Sequence, residues 1–315
     1  MIVTVTPNPS LDRALELDRL EVGAVNRARR VHVHPGGKGI NVSRVLVRHG
    51  IPSLAVLPTG GADGRRLVEL LDEQGVATLA VPVHGDTRTN LTLVEDGGTT
   101  TKVNAPGPRL TPAEADALLA AVELQLALRP GVLVGAGSLP LAAGETFFVR
   151  LAELAARHGV PFALDTSGAP LTEAVRAGGL ALVKPNDDEL ADLVGRELVT
   201  VGDVVDAAHE VLDAGNRAVL VSLGAHGAML VDPEGAWWAG GPPIVPLSTV
   251  GAGDSTLAGY LATDGDGGDR LRNAVAFGRA AVLLPGTAVP GPTDIDPGAV
   301  RVVHNPDPRL ALKEM

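Results

Sequence analysis

Two glycines, an alanine and an aspartate stand directly before a run of small helix-forming residues in Ser248-Thr-Val-Gly-Ala-Gly-Asp-Ser-Thr-Leu-Ala-Gly259. The preceding Pro242–Leu247 is apolar and reads as extended chain, while Ser255–Leu261 reads as helix. Gly251, Ala252, Gly253 and Asp254 therefore fall at a loop-to-helix junction. The first amides of a helix have no internal acceptors and point outward at its positive end, where they can hold an anion. Gly251 and Gly253 remove the side chains that would block phosphate oxygens. A carboxylate at the same place repels a bound phosphate, but within reach of a substrate hydroxyl it can take the proton as phosphoryl transfer begins. The pairing points to phosphoryl transfer to an alcohol. A plainer reading competes, because aspartate is a common helix cap and glycine a common turn residue.

The usual nucleotide loops are missing. No G-x-x-x-x-G-K-[ST] occurs, and neither Gly36-Gly-Lys-Gly39 nor Gly135-Ala-Gly137 completes a dinucleotide fingerprint. Lys184-Pro-Asn186 follows the apolar stretch Leu180–Val183 and so lies at a strand's carboxyl end, where α/β proteins bind ligands. Glu189 comes onto the same face as Asn186 in the first helical turn, although N-x-x-E is also the pattern of a capping box. Two other constellations fail. His32 and His34 share one strand face but lack a third ligand at metal spacing, and the serines and histidines lack a G-x-S-x-G elbow for hydrolysis.

The elements that must position these groups follow from periodicity. Apolar strand-like segments at Ile2–Thr6, Ser53–Leu57, Val132–Gly135, Phe162–Asp165, Leu180–Val183 and Ala218–Ser222 alternate with helical patterns at Ile40–His49, Ala113–Ala127, Glu145–His158, Glu189–Val194 and Val204–Ala214. Near-continuous apolar strands between amphipathic helices predict a doubly wound α/β fold with a mostly parallel sheet. Residues 14–34 and 86–103 alternate without helices and predict a small antiparallel β lid inserted in a single domain spanning 1–315. Asp264-Gly-Asp-Gly-Gly-Asp269 reads as a surface loop. The chain has 315 residues, a net charge of −11 and 2% aromatic residues, a balance that argues against a nucleic-acid surface. It has no cysteine, which excludes thiolate metal sites and cysteine nucleophiles. The segment MIVTVTPNPSLDR lacks the pattern of an export signal, and no apolar run is long enough to span a membrane, so a cytoplasmic protein without membrane contact is expected.

Asn8-Pro-Ser-Leu-Asp12, Gly36-Gly-Lys-Gly-Ile-Asn41, Lys184-Pro-Asn186 with Glu189, Ser222-Leu-Gly224, Gly251-Ala-Gly-Asp254 and the late Pro285-Gly-Thr287 occur in the order and spacing of the ribokinase-like (PfkB) carbohydrate kinases. The resemblance covers nearly the whole chain. Arg88-Thr-Asn90, Asn104-Ala-Pro-Gly-Pro108 and Gly137-Ser-Leu-Pro140 are similar to the phosphosugar kinase branch, that of 1-phosphofructokinases and tagatose-6-phosphate kinases. Ala105 departs from the acidic residue common there. The resemblance implies ATP and Mg2+ as cofactors, a ketose phosphate as partner, and a lid that often pairs two copies into a homodimer. It implies Asp254 as general base and Gly251–Asp254 as an anion hole. Asp12 and Asn41 would orient sugar hydroxyls, while Gly37, Lys38, Arg88, Lys102, Arg27 and Ser138 would face the substrate and its phosphate. On the nucleotide side it implies Lys184, Asn186, Ser222, Gly224, Gly227 and Thr249, with Glu189 and Asn186 organising magnesium through water. The activity expected is phosphorylation of fructose 1-phosphate to fructose 1,6-bisphosphate. Tagatose 6-phosphate or fructose 6-phosphate is the alternative acceptor, and a noncatalytic sugar-phosphate sensor is the rival from another class.

Overall fold

A computed structural model describes residues 1–315. Its main sheet has ten strands, ordered from one edge as β14 (Arg301–His304), β13 (Gly235–Gly240), β12 (Ala228–Asp232), β11 (Val219–Ser222), β10 (Leu182–Val183), β9 (Phe162–Asp165), β8 (Val132–Ala136), β1 (Ile2–Val5), β4 (Ser53–Thr59) and β5 (Ala77–Pro82). The strands from β11 to β5 are parallel, and β12 to β14 add an antiparallel edge. The central parallel strands β1, β8 and β9 are buried on both faces, as their unbroken Val/Leu/Ala runs require, while the edge strand β5 is half-exposed.

Alternating residues feed two apolar layers. Val3 and Val5 pack with α3 (Pro112–Leu126), α4 (Phe147–His158), α5 (Ala169–Ala177), α6 (Asp187–Val194) and α7 (Val201–Asp213), whereas Ile2 faces α1 (Lys38–Arg48), α8 (Ala252–Leu261) and α9 (Gly267–Val282). Helix starts follow local chemistry. Thr111 with Glu114 and Thr200 with Asp203 close reciprocal capping boxes, and Gly159 ends α4 in the left-handed conformation.

A second sheet has the order β3 (Arg30–Gly36), β2 (Ser10–Leu17), β6 (Arg88–Glu95) and β7 (Thr100–Val103). Its two outer pairings are antiparallel, as expected of the lid, but the central β2–β6 pairing is parallel. The sheet starts at Ser10, not residue 14. Leu11 anchors it to the body, packing with Ile40, Leu57 and three leucines of α2 (Gly61–Glu73).

Three sequence readings change. Pro242–Leu247 forms no strand. Helices α2, α5 and α9 were not legible as such. Most instructive is Asp264–Asp269: Asp266 caps α9 by accepting from the Asp269 amide, so Gly267 and Gly268 open a helix. A Cβ on Gly267 would meet the Trp237 ring at 3.1 Å. Glycine there serves close packing and not loop flexibility.

Candidate active site

The carboxyl ends of β1, β8, β9, β10 and β11 converge on one cavity of about 540 Å³ beneath the second sheet. Thr6 and Asn8 follow β1, Gly137 and Ser138 follow β8, Asp165 ends β9, Lys184 follows β10 and Ser222 ends β11. Ser10, Asp12, Arg88 and Asn90 reach it from β2 and β6, and Gly37, Lys38 and Asn41 from the start of α1. Gly251, Gly253 and Asp254 complete it at the start of α8.

Gly251 caps α8 at φ 77°, a left-handed conformation that a side chain would disfavour. The first backbone bond of the helix runs from the Ser255 amide to the Gly251 carbonyl, so the amides of Ala252, Gly253 and Asp254 have no acceptor in the helix. Gly253 is small for a different reason, since a Cβ there would stand 3.3 Å from the Lys184 ammonium. Asp254 is only 6% exposed, and its Oδ2 accepts from Asn41 Nδ2 at 2.9 Å. Burial, reinforced by the negative charge of Asp165, pushes its carboxyl up to about 6, against the pull of Asn41, Lys38 and Lys184. A carboxylate poised near neutral pH beside free helix amides can accept a hydroxyl proton while the amides hold phosphoryl oxygens.

Asp165 is the group that sequence reading missed. It is 1% exposed and bridges Lys38 Nζ at 2.6 Å and Lys184 Nζ at 2.9 Å. Burial alone would raise its carboxyl, but the two ammonium groups overcome that and hold it below its ordinary value. In return Asp165 raises Lys38, despite desolvation. Its only sequence signal is an aspartate ending an otherwise apolar strand.

Arg88 is arranged differently. Its Nη1 donates to the Ala105 carbonyl and its Nη2 to the Asn8 carbonyl, both at 3.0 Å. It has no carboxylate partner, its Nε is buried without an acceptor, and burial lowers its pKa against the pull of Asp12. Ala105 meets the site through its backbone alone, giving its carbonyl to Arg88 and its amide to Asn90 Oδ1, and nothing in the structure explains the missing acidic side chain. Asp12 Oδ1 accepts from Ser10 Oγ at 2.7 Å and Asn90 Nδ2 at 2.9 Å, which fixes the carboxylate and leaves Oδ2 without a protein donor. Gly36 permits this placement, since any Cβ there would overlap the Asp12 carboxylate.

On the opposite side, Asn186 and Glu189 form a reciprocal capping box at α6. Asn186 Oδ1 accepts from the Glu189 amide at 2.6 Å, and Glu189 Oε2 accepts from the Asn186 amide at 2.9 Å. Both also line the cavity, so the capping and ligand readings coexist, with Glu189 Oε1 outside the box. No group of three His, Asp or Glu side chains stands together as a metal cage.

The structure does not bring every candidate together. Lys102 is exposed on β7, and Arg27 is exposed between β2 and β3; neither lines the cavity. Gly224, Gly227 and Thr249 also lie outside its lining. Gly227 has a structural cause, because a Cβ would collide with the Ala239 carbonyl. His32 and His34 stack, and His32 meets Glu16 at 2.8 Å without forming a metal cluster. No helix is long and apolar enough to cross a membrane.

This arrangement matches known proteins across most of the chain. Residues 6–294 fit the model of the pfkB family carbohydrate kinases. The 1-phosphofructokinase of Bacillus subtilis is 35% identical over 262 residues, 83% of this chain and 85% of that protein. The ATP-dependent 6-phosphofructokinase isozyme 2 of Escherichia coli is 37% identical over 292 residues, 91% of this chain and 94% of that protein. Among solved structures, phosphofructokinase-2 from Escherichia coli in complex with fructose-6-phosphate superposes with a TM-score of 0.85 at 34% identity, covering 93% of this chain and 96% of that one. The chain belongs to the pfkB family of carbohydrate kinases and is an ATP-dependent sugar kinase.

Proposed function

We propose that this protein phosphorylates fructose 1-phosphate at its 6-hydroxyl, giving fructose 1,6-bisphosphate and ADP. The observation that carries this reading is Arg88, a half-buried cation with no carboxylate partner in the same cavity as Asp254. Burying an uncompensated charge is costly, and a bound phosphate would supply the missing countercharge. Lys38 is less suited to that task, because Asp165 already balances it. The substrate phosphate therefore rests on Arg88 and the Ser138 hydroxyl, with Asp12 Oδ2 accepting from a ring hydroxyl. The 6-oxygen attacks the γ-phosphorus of ATP, its proton passes to Asp254, and the bond from phosphorus to the ADP oxygen breaks. The amides of Ala252, Gly253 and Asp254 receive the charge of the transferring group, with Lys184 and Lys38 held alongside by Asp165.

ATP phosphates lie towards Lys184, Asn186 and Ser222 in this reading. Magnesium, when bound with the nucleotide, neutralises charge on the phosphate oxygens. Glu189 Oε1 and Asn186 fit a hard cation that keeps most of its waters. Movement of the second sheet over the substrate would exclude the water that otherwise competes as acceptor. A homodimer through that sheet belongs to the same proposal, supported by the exposed Val22, Val25, Val31 and Val103.

Fructose 6-phosphate is the second reading, favoured by the 37% identity to a 6-phosphofructokinase. Both readings need a phosphate site. Arg88→Ala is expected to lower kcat/KM for the preferred phosphosugar by about 10²-fold through KM, while barely changing turnover of free fructose. Steady-state kinetics on both acceptors check this. Equal losses on both would show that Arg88 supports the fold of the site and does not hold a phosphate.

A further inference from the structure

One turn beyond Asn41 on α1, Arg44 is buried and lies outside the cavity lining. Its guanidinium is shared among three acceptors. Nε donates to Gln74 Oε1 at 2.7 Å, and Nη1 donates to Asn41 Oδ1 at 3.1 Å and to the Thr287 carbonyl at 3.2 Å. Asn41 in turn donates from Nδ2 to Asp254 Oδ2 at 2.9 Å. Chemistry leaves the Asn41 amide one orientation, because a guanidinium only donates and an ionised carboxylate only accepts. Turned over, the amide would set its oxygen against the Asp254 carboxylate and its NH2 against Arg44.

We propose that Arg44 is a positioning residue for phosphoryl transfer, locking the Asn41 amide so that it holds Asp254 Oδ2 and leaves Oδ1 to the attacking hydroxyl. The inference rests on the proposed role of Asp254 as the base. The ends of two other elements meet α1 at this guanidinium. Gln74 follows α2, Asn41 lies on α1 and Thr287 follows α9, so the fold fixes the fork independently of substrate. Arg44 remains a cation at neutral pH: burial lowers it to about 10, against the pull of Asp12 and Asp254. Asp254 also feels Asp165, Lys38 and Lys184, while burial, joined by Arg44 and His32 and opposed by Asp12, holds His34 below its ordinary value.

The test is a double-mutant cycle of Arg44→Met and Asn41→Ala, with Arg44→Lys beside it, read as kcat, KM and the pH profile of kcat with a fructose phosphate and ATP. Arg44→Met should lower kcat about tenfold while each KM stays within about twofold, since the interaction acts on the base and not on substrate binding. The acidic limb should move to higher pH, because losing a cation and a fixed donor disfavours the carboxylate. Arg44→Lys, which keeps the charge without the fork, should restore the limb more fully than kcat. In the Asn41→Ala background, Arg44→Met should have no further effect on kcat. The proposal is overturned if kcat falls by the same factor in both backgrounds, or if kcat and its limb stay fixed while only thermal stability drops. Should the methionine variant fail to fold, the lysine variant enters the same cycle. Asp254→Asn is the control: its full activity would remove the base itself, whereas its inactivity beside an additive cycle would remove only Arg44's role.

Discussion

Asp254→Asn is expected to lower kcat by about 10²–10⁴-fold while leaving both KM values nearly unchanged, the signature of a group needed only as the proton leaves. The amide keeps the shape of the side chain and an oxygen that Asn41 can still reach, so the fold of the junction is preserved. It cannot take a proton at neutral pH. The same substitution should stabilise the protein, because burial raises the Asp254 carboxyl to about 6 from an unfolded value of 3.8. The folded state therefore binds this proton more tightly than the unfolded chain. Its contribution to stability is present below about pH 4 and is lost as pH rises through about 6. At pH 7.5 the folded wild type bears the full cost of an ionised buried carboxylate, up to about 3 kcal/mol. The variant should melt higher than wild type at pH 7.5 and lose that advantage near pH 4. Kinetics at pH 7.5 and melts at both pH values check the pair of effects. Retained turnover would remove Asp254 as the base, and an equal Tm difference at both pH values would show that its ionisation is not strained by burial.

Asp165→Asn acts in the opposite direction on stability. Lys184 is 4% exposed and Lys38 has no other carboxylate partner, so removing the charge between them leaves one buried and one half-buried ammonium uncompensated. Breaking a buried ion pair from one side costs about 3–5 kcal/mol. For a chain of this size the loss corresponds to a Tm lower by on the order of 10 °C. Activity should fall as well, because neither lysine is then held in place. The acidic limb of kcat carries a separate signature: Asp165 raises Asp254, so its neutralisation should move the limb to lower pH. Differential scanning calorimetry and a pH profile read both effects. An unchanged melt would show that the lysines find other partners, and an unmoved limb would show that Asp165 does not act on Asp254.

The contrast between these aspartates explains what sequence could reveal. Asp254 announces itself because glycines and a helix start surround it, so its neighbours along the chain are also its neighbours in the site. Asn186 and Glu189 were legible for the same reason. Asp165 acts on Lys38 and Lys184 from other elements, and its own segment looks like the end of an ordinary apolar strand. Arg44 is hidden likewise, since its partners beyond Asn41 on the same helix, Gln74 and Thr287, come from other elements. The alternating doubly wound core followed from periodicity. The parallel β2–β6 pairing did not, because alternation fixes which face a residue takes but not the strand it pairs with. The resemblance to phosphosugar kinases asked for cations and placed Arg27 and Lys102 with the substrate, yet both side chains are exposed away from the cavity, as long charged side chains generally are. The α9 glycines misled because their reason is the Trp237 ring, contributed by β13.

The most direct measurement is ADP release by the purified protein with Mg-ATP and, in parallel, fructose 1-phosphate, fructose 6-phosphate, tagatose 6-phosphate or free fructose. Fructose 1-phosphate is expected to give the highest kcat/KM, with free fructose the poorest acceptor because it leaves Arg88 uncompensated. A preference for free fructose would contradict the phosphate site, and no turnover with any of the four would contradict the assignment of a fructose-phosphate kinase.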